Sequence, residues 1–197
     1  MTSTETRTYP RDVRIDGGSI EVRYMTAADR EGILAFARAL PSHDLLFLPR
    51  DITNPKVIDA WIREVGSGNL VSLVAIEDGA IVGNATIVRD PYSWSPHVGE
   101  LRVVVASSMR GRGLGRALTQ ECFALGLTLG LEKMVAQMTV DQKGALAVFE
   151  TLGFRGEALL RDHVRDTQGT KHDIVVLSHD VRTFVAQLDA YGLPEAL

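Results

Sequence analysis

Leu101-Arg102-Val103-Val104-Val105-Ala106-Ser107-Ser108-Met109-Arg110-Gly111-Arg112-Gly113-Leu114-Gly115-Arg116 joins three elements in sixteen residues. A β-branched strand runs into a Gly-rich turn, and the turn opens an amphipathic helix. N–H groups in the first turn of a helix lack partners within the helix and point outward together. The helix dipole adds partial positive charge at the same place. A diphosphate satisfies both. Gly111, Gly113 and Gly115 let backbone approach the oxygens, and Arg110, Arg112 and Arg116 surround them with positive charge. Two rival phosphate motifs fail. A Walker A loop needs Gly-Lys followed by Ser or Thr, and none follows here. The dinucleotide pattern G-x-G-x-x-G meets Arg116 when begun at Gly111 and Leu118 when begun at Gly113.

The rest of the chain supplies a sheet. Ile20, Val22 and Tyr24 alternate with polar residues and predict a first strand. Thr26, with Asp29 three positions on, can cap a helix carrying Ile33, Leu34, Ala37 and Leu40. A second helix follows Pro55, and Gly66 to Gly68 stop it. Leu70 to Ile76 and Ala80 to Val88 read as a hairpin turning at Asp78-Gly79, and Val98 to Val105 as the next strand. A helix from Arg112 to Gly130, a strand from Lys133 to Thr139 and a helix from Lys143 to Leu152 follow. The chain then offers a strand pair at Phe154 to Val164 and Lys171 to Ser178, and a terminal helix from Val181 to Tyr191. This order predicts an α+β fold: a mixed, mostly antiparallel sheet of six to seven strands flanked by helices. Residues 1–18 read as a mobile arm and 19–197 as one domain.

Composition excludes several classes. The chain has 197 residues, 45% of them hydrophobic, and a formal net charge of −4 with both signs interspersed. This argues against disorder and against a duplex nucleic-acid surface, so no nucleic-acid partner is expected. No apolar run approaches the ~18 residues of a membrane span, and residues 1–10 lack the apolar core of a signal peptide. One cysteine, Cys122, forbids an intrachain disulfide and fits a reducing cytoplasm, the expected location. His43, His97 and His172 show no metal-site spacing, so no metal is expected.

The R-x-x-G-x-G spacing after a Val-rich strand resembles the acetyl-CoA-binding motif of the GNAT acetyltransferase superfamily. Phe149-Glu150-Thr151-Leu152-Gly153-Phe154 is similar to that family's second segment. The resemblance covers roughly residues 20 to 180 and implies a sheet splayed between its fourth and fifth strands, with acetyl-CoA as co-substrate. It implies that the backbone of Val103, Val104 and Val105 pairs with the pantetheine arm. Arg110, Gly111, Arg112, Gly113, Leu114, Gly115 and Arg116 then cradle the diphosphate. Gln142 takes the place of a family asparagine that contacts the cofactor. Many relatives have at position 149 a Tyr that protonates the departing thiolate; Phe149 has no such proton. The implied reaction is attack of an amine, on a small molecule or a protein, on the thioester. Backbone N–H groups of the fourth strand stabilise the oxyanion, and family members often pair as homodimers. A non-catalytic acyl-CoA-binding or interaction module on the same fold is the alternative that Phe149 favours.

Two residues are candidates for the base. Glu100 lies on the fourth strand, where relatives often place a catalytic carboxylate; it is also placed to pair with Arg102. If Thr167, Gln168 and Gly169 form a three-residue hairpin loop, the register sets His163 opposite Asp173. His163 is then a base, a substrate contact or one half of a structural cross-strand pair. The loops at 41–55, 90–97 and 165–170, with Tyr92 and Trp94 in the second, are the expected source of the acceptor pocket.

Overall fold

The computed structural model describes residues 7–182. The helix expected from Val181 to Tyr191 therefore lies, beyond its first two residues, outside the described residues. Side chains of a strand alternate between faces, and this alternation sets the N-terminal hairpin. Val13 of β1 (Arg11–Ile15) pairs with Ile20 of β2 (Gly18–Tyr24), and both are buried. β1 lies inside the stretch expected to be a mobile arm, so the sheet has eight strands and not six to seven. Val13 is the one buried residue of β1, too little periodicity to announce a strand. Tertiary contacts supply the rest. The Tyr9 hydroxyl donates to Glu121 Oε2 at 2.7 Å and Arg7 pairs with Glu121 Oε1 at 2.7 Å. Glu121 is buried in α3 (Leu114–Thr128), so the segment from Arg7 is tied to the body of the protein.

β2 pairs with β3 (Leu70–Glu77), β3 with β4 (Ala80–Val88), and β4 with β5 (Val98–Val105), all antiparallel. β6 (Lys133–Thr139), β7 (Arg155–Arg165) and β8 (Lys171–Asp180) complete the order β1-β2-β3-β4-β5-β6-β8-β7. β5 and β6 form the parallel contact. The β3–β4 turn uses Asp78 and Gly79, with φ of 51° and 79°, the pair of left-handed residues that a two-residue hairpin turn needs.

Each face of the sheet carries its own core. Leu73, Ala85 and Leu101 pack with Leu114, Leu118 and Cys122 of α3 and with Phe149 of α4 (Lys143–Thr151). On the other face Val74 and Val104 pack with Ile33, Phe36 and Ala37 of α1 (Arg30–Ala39) and Ile58 of α2 (Pro55–Gly66). Asn54 caps α2 by accepting the N–H of Lys56 at 3.0 Å, with Pro55 in the first turn. Cys122 is fully buried, and burial pushes its thiol up, away from reactivity.

The entry to α1 is fixed by a buried carboxylate. Asp29 accepts from the Thr26 N–H at 2.7 Å and from both Arg23 amino groups at 2.6 and 2.8 Å. The Arg23 guanidinium holds the Asp29 carboxyl below its usual range. Its stabilisation is therefore present above the unfolded carboxyl value of about 3.9 and is lost as pH falls through the lower folded value. Asp29→Asn is expected to cost about 1–3 kcal/mol near neutral pH. Denaturant melts across pH check this: the gap to the parent protein narrows in acid, and a gap constant with pH contradicts it.

Candidate active site at the splayed strands

β5 and β6 pair only from Val98 to Leu101 against Lys133 to Ala136. Beyond that point β5 stays with β4 as far as Val105, and β6 stays with β8 as far as Thr139. The facing edges of Arg102–Val105 and Gln137–Thr139 are thus left without each other. The splay expected between the fourth and fifth strands falls here between β5 and β6, because β1 adds a strand ahead of them. A cleft of about 700 Å³ fills the gap, lined by Val103, Val105, Gln137, Met138 and Phe149 among others. An unpaired strand edge is a ready template for an extended group with amides of its own.

The cleft opens at the Gly-rich turn. Met109, buried, anchors the chain after β5. Gly111 and Gly113 then adopt φ of 74° and 80°, a region that side chains with a Cβ rarely enter. Gly113 caps α3, and Ala117 is the first N–H of the helix to find its carbonyl, that of Gly113 at 3.0 Å. The N–H groups of Leu114, Gly115 and Arg116 precede it and have no intrahelical acceptor. All three residues line the cleft, as do Arg110, Gly111 and Gly113. The residues present fit an elongated group with a diphosphate at one end: free N–H groups, a helix N-terminus and a turn without side chains in its path.

The three arginines separate. Arg116 lines the cleft and, among the described residues, has no ion-pair partner. Arg110 also lines it and pairs with Asp44, from the turn after α1. Arg112, expected in the cradle, is not on the cleft wall. It pairs with Glu77 at 3.0 Å and donates to the Asp16 carbonyl at 3.3 Å, clamping the turn to the β1–β2 and β3–β4 hairpins. Its backbone is used as well, its carbonyl accepting from Asp16.

Gln142 stands at the N-cap of α4 and lines the cleft. Phe149 is buried, its ring edge-on to Phe154 with centroids 5.0 Å apart, and it too reaches the cleft. Glu100 is held by Arg102 in a two-pronged pair, Nε to Oε1 at 2.8 Å and Nη2 to Oε2 at 3.0 Å.

Arg102 belongs to the wall of a second cavity, of about 240 Å³, on the opposite face of the sheet. α1, α2 and the chain before α2 enclose it with Phe36, Leu48, Ile52 and Trp61. Val104 borders both cavities. Its polar residues include Asn84 and Thr86, tied into a chain. Trp61 Nε1 donates to Ser72 Oγ at 3.0 Å, Ser72 and Thr86 share a 2.8 Å hydrogen bond, Thr86 donates to Asn84 at 3.2 Å, and Asn84 donates to the Leu73 carbonyl at 2.9 Å. Sequence reading missed this chain. The signal was Asn84 and Thr86 inside an otherwise apolar strand.

Three expectations are corrected. His163 does not oppose Asp173. The hairpin begins as expected, with the Asp166 N–H on the Thr170 carbonyl and Gly169 at φ 87°. Between Leu160 and Val164, however, β7 bulges, with Asp162 at φ 52°. The bulge takes the Asp173 carboxylate, which accepts the Asp162 N–H at 2.8 Å, and leaves His163 exposed on neither cavity wall. Tyr92 and Trp94 wall nothing, being 93% and 102% exposed. Of the three loops expected around the acceptor, 41–55 contributes to the second cavity, and 90–97 and 165–170 do not.

The fold is shared with proteins of known structure. Solved structures superpose well. RimJ from Mycobacterium smegmatis, in complex with CoA-disulfide, gives a TM-score of 0.71 at 21% identity, covering 93% of this chain and 96% of its own. yncA from Salmonella typhimurium, with its cofactor acetyl-CoA, gives 0.70 at 20% identity, covering 82% and 94%. Ribosomal-protein-alanine N-acetyltransferase from Brucella melitensis gives 0.69 at 23% identity, covering 81% and 98%. At these identities the likeness is one of fold. Among curated proteins no sequence matches. The sequence pattern of the acetyltransferase (GNAT) family matches residues 27–154. The chain belongs to the acetyltransferase (GNAT) family.

Proposed function

We propose that this enzyme transfers an acetyl group from acetyl-CoA to an amine, the amine attacking the thioester directly. One observation carries the reading: the unpaired edges of β5 and β6 lead to a helix N-terminus whose N–H groups are open. In this reading Val103, Val104 and Val105 present backbone to the pantetheine arm. Gly111, Gly113, Leu114, Gly115 and Arg116 take the diphosphate, and Gln142 contacts the donor from α4. Arg110 joins the cradle on leaving Asp44. The amine occupies the second cavity and meets the thioester beside Val104, where the two cavities adjoin. Backbone N–H of β5 stabilises the oxyanion.

An alkylamine with pKa near 10 must lose a proton before it attacks at about pH 7. Glu100 itself lines neither cavity; paired with Arg102 on the wall of the second cavity, it accepts that proton through a water. Phe149 supplies no proton to the departing thiolate. A thiol of pKa about 8.5 is a tolerable leaving group without one. His163, on its exposed bulge, is proposed at most as a contact for a large acceptor such as a protein. The named relatives include a ribosomal-protein-alanine acetyltransferase, which supports an amino group as acceptor. A cytoplasmic location suits the buried free thiol of Cys122, and a homodimer is the assembly the family resemblance implies. Among the described residues, no helix is long and apolar enough to cross a membrane.

Glu100→Gln tests the assignment of the base. Turnover is expected to fall by about 100-fold or more, with acetyl-CoA affinity little changed. The acid limb of the pH–rate profile shifts with it. A profile identical to that of the parent enzyme removes Glu100 as the proton acceptor.

A further inference from the structure

Three side chains from distant parts of the sequence meet at the rim of the cleft. His43 stands in the short turn of helix that follows α1, Asp141 in the connection from β6 to α4, and His172 at the start of β8. His43 Nε2 lies 2.9 Å from Asp141 Oδ2. The His43 and His172 rings meet edge-on with centroids 5.2 Å apart. One ligand atom from each of the three residues lies within 4.8 Å of the other two. His43 and Asp141 line the cleft; all three are at least partly exposed.

The surroundings orient these groups. His172 Nε2 is 2.9 Å from Asp166 Oδ2. Asp166 is itself fixed, its Oδ1 accepting the N–H groups of Gln168 and Thr170 at 2.9 and 2.8 Å. A proton on Nε2 shared with Asp166 leaves Nδ1 of His172 with its lone pair. A carboxylate behind an imidazole in this way is the usual support of a metal-bound histidine. The Thr139 hydroxyl lies 3.5 Å from His43 Nε2.

One cation shared by the three side chains accounts for their convergence at the rim. We propose that His43, Asp141 and His172 bind one divalent ion of the zinc class, with Asp166 orienting His172. Imidazole donors select zinc and its transition-metal neighbours over magnesium and calcium. Three protein ligands leave a fourth position for water. Ligand atoms about 2.0–2.2 Å from one zinc lie roughly 3.4 Å apart in a tetrahedron. Ligand atoms within 4.8 Å of one another close by at most about 1.4 Å to reach that spacing, a movement that partly exposed side chains can make. The ion then ties the turn after α1 to β8 and to the start of α4 across the rim of the cleft. Sequence spacing shows none of this, because the ligands are assembled in space.

Two of the ligands border the cleft, but the test needs no acyl donor, so its outcome is separate from that of the acetyl-transfer reading. Full-length protein stripped with chelator is dialysed against zinc chloride with excess magnesium, and bound zinc is measured by elemental analysis. About one zinc per chain is expected, with micromolar affinity or tighter. His43→Ala and His172→Ala each lose that uptake, and Asp166→Asn weakens it by about 10- to 100-fold. His97→Ala, a histidine outside the cluster, keeps it. Cobalt(II) substituted for zinc gives the visible absorption of a four-coordinate site in the parent and not in the two alanine variants. Circular dichroism verifies that each variant is folded. Failure of the parent protein to take up zinc, or uptake that survives His172→Ala, overturns the proposal.

Discussion

Gly113→Glu is expected to weaken acetyl-CoA binding by at least about 100-fold, or roughly 2.8 kcal/mol. Gly113 stands at the cap of α3 with φ of 80°, and a Cβ placed there meets nothing within 4 Å. The effect is therefore one of charge and backbone conformation, not of a clash. A carboxylate at the helix N-terminus takes the N–H groups and dipole that a diphosphate needs. It also repels what remains of the incoming charge. Gly113→Ala isolates the backbone part, a strain of about 1–2 kcal/mol in the left-handed region. Calorimetric titration with acetyl-CoA should rank parent, alanine and glutamate in falling affinity. Glutamate binding as well as alanine would remove the cradle from Arg110 to Arg116 as the diphosphate site.

Phe154→Ala is expected to cost about 3–5 kcal/mol of stability, a large share of the 5–15 kcal/mol typical of a folded domain. The Phe154 ring is fully buried, edge-on to Phe149 at 5.0 Å and to His179 at 5.3 Å. The backbone before it is close-packed against the same histidine: a Cβ at Gly153 would fall 2.8 Å from His179 Nε2. Phe149, which reaches the cleft, loses its support in the same change, so donor affinity should fall along with stability. Urea denaturation reads the first effect, and a shift in midpoint without a change in slope assigns it to the folded state. A loss below about 1 kcal/mol would mean that the site repacks freely.

What could be read from sequence divides by how local the cause is. β4, β5 and β6 were legible to the residue, because their apolar runs are bounded by Asp78-Gly79, by the loop from Asp90 and by Gly130. The Gly-rich turn was legible because positive φ and free N–H groups follow from residue type. β1 was not, because one buried valine makes no period, and Tyr9 and Arg7 are ordered by Glu121, more than a hundred residues away. Arg112 looked like Arg110 and Arg116 in sequence; Glu77, on another strand, claimed it. The register of β7 failed at Asp162, where a bulge without glycine gave no warning. The second cavity exists only through packing of α1 and α2 against the sheet, and the His43–Asp141–His172 cluster only through the meeting of the turn after α1, the β6–α4 connection and β8.

The central claim is amine acetylation at the cleft between β5 and β6. Steady-state release of free thiol from acetyl-CoA, measured across a library of small amines and amino-terminal peptides, tests it most directly. At least one acceptor should drive release well above the rate with water alone, with acetylated amine formed in equal amount and both lost in Gly113→Glu. Tight acetyl-CoA binding with no acceptor-dependent release would contradict the claim and leave a module that binds acyl-CoA without turning it over.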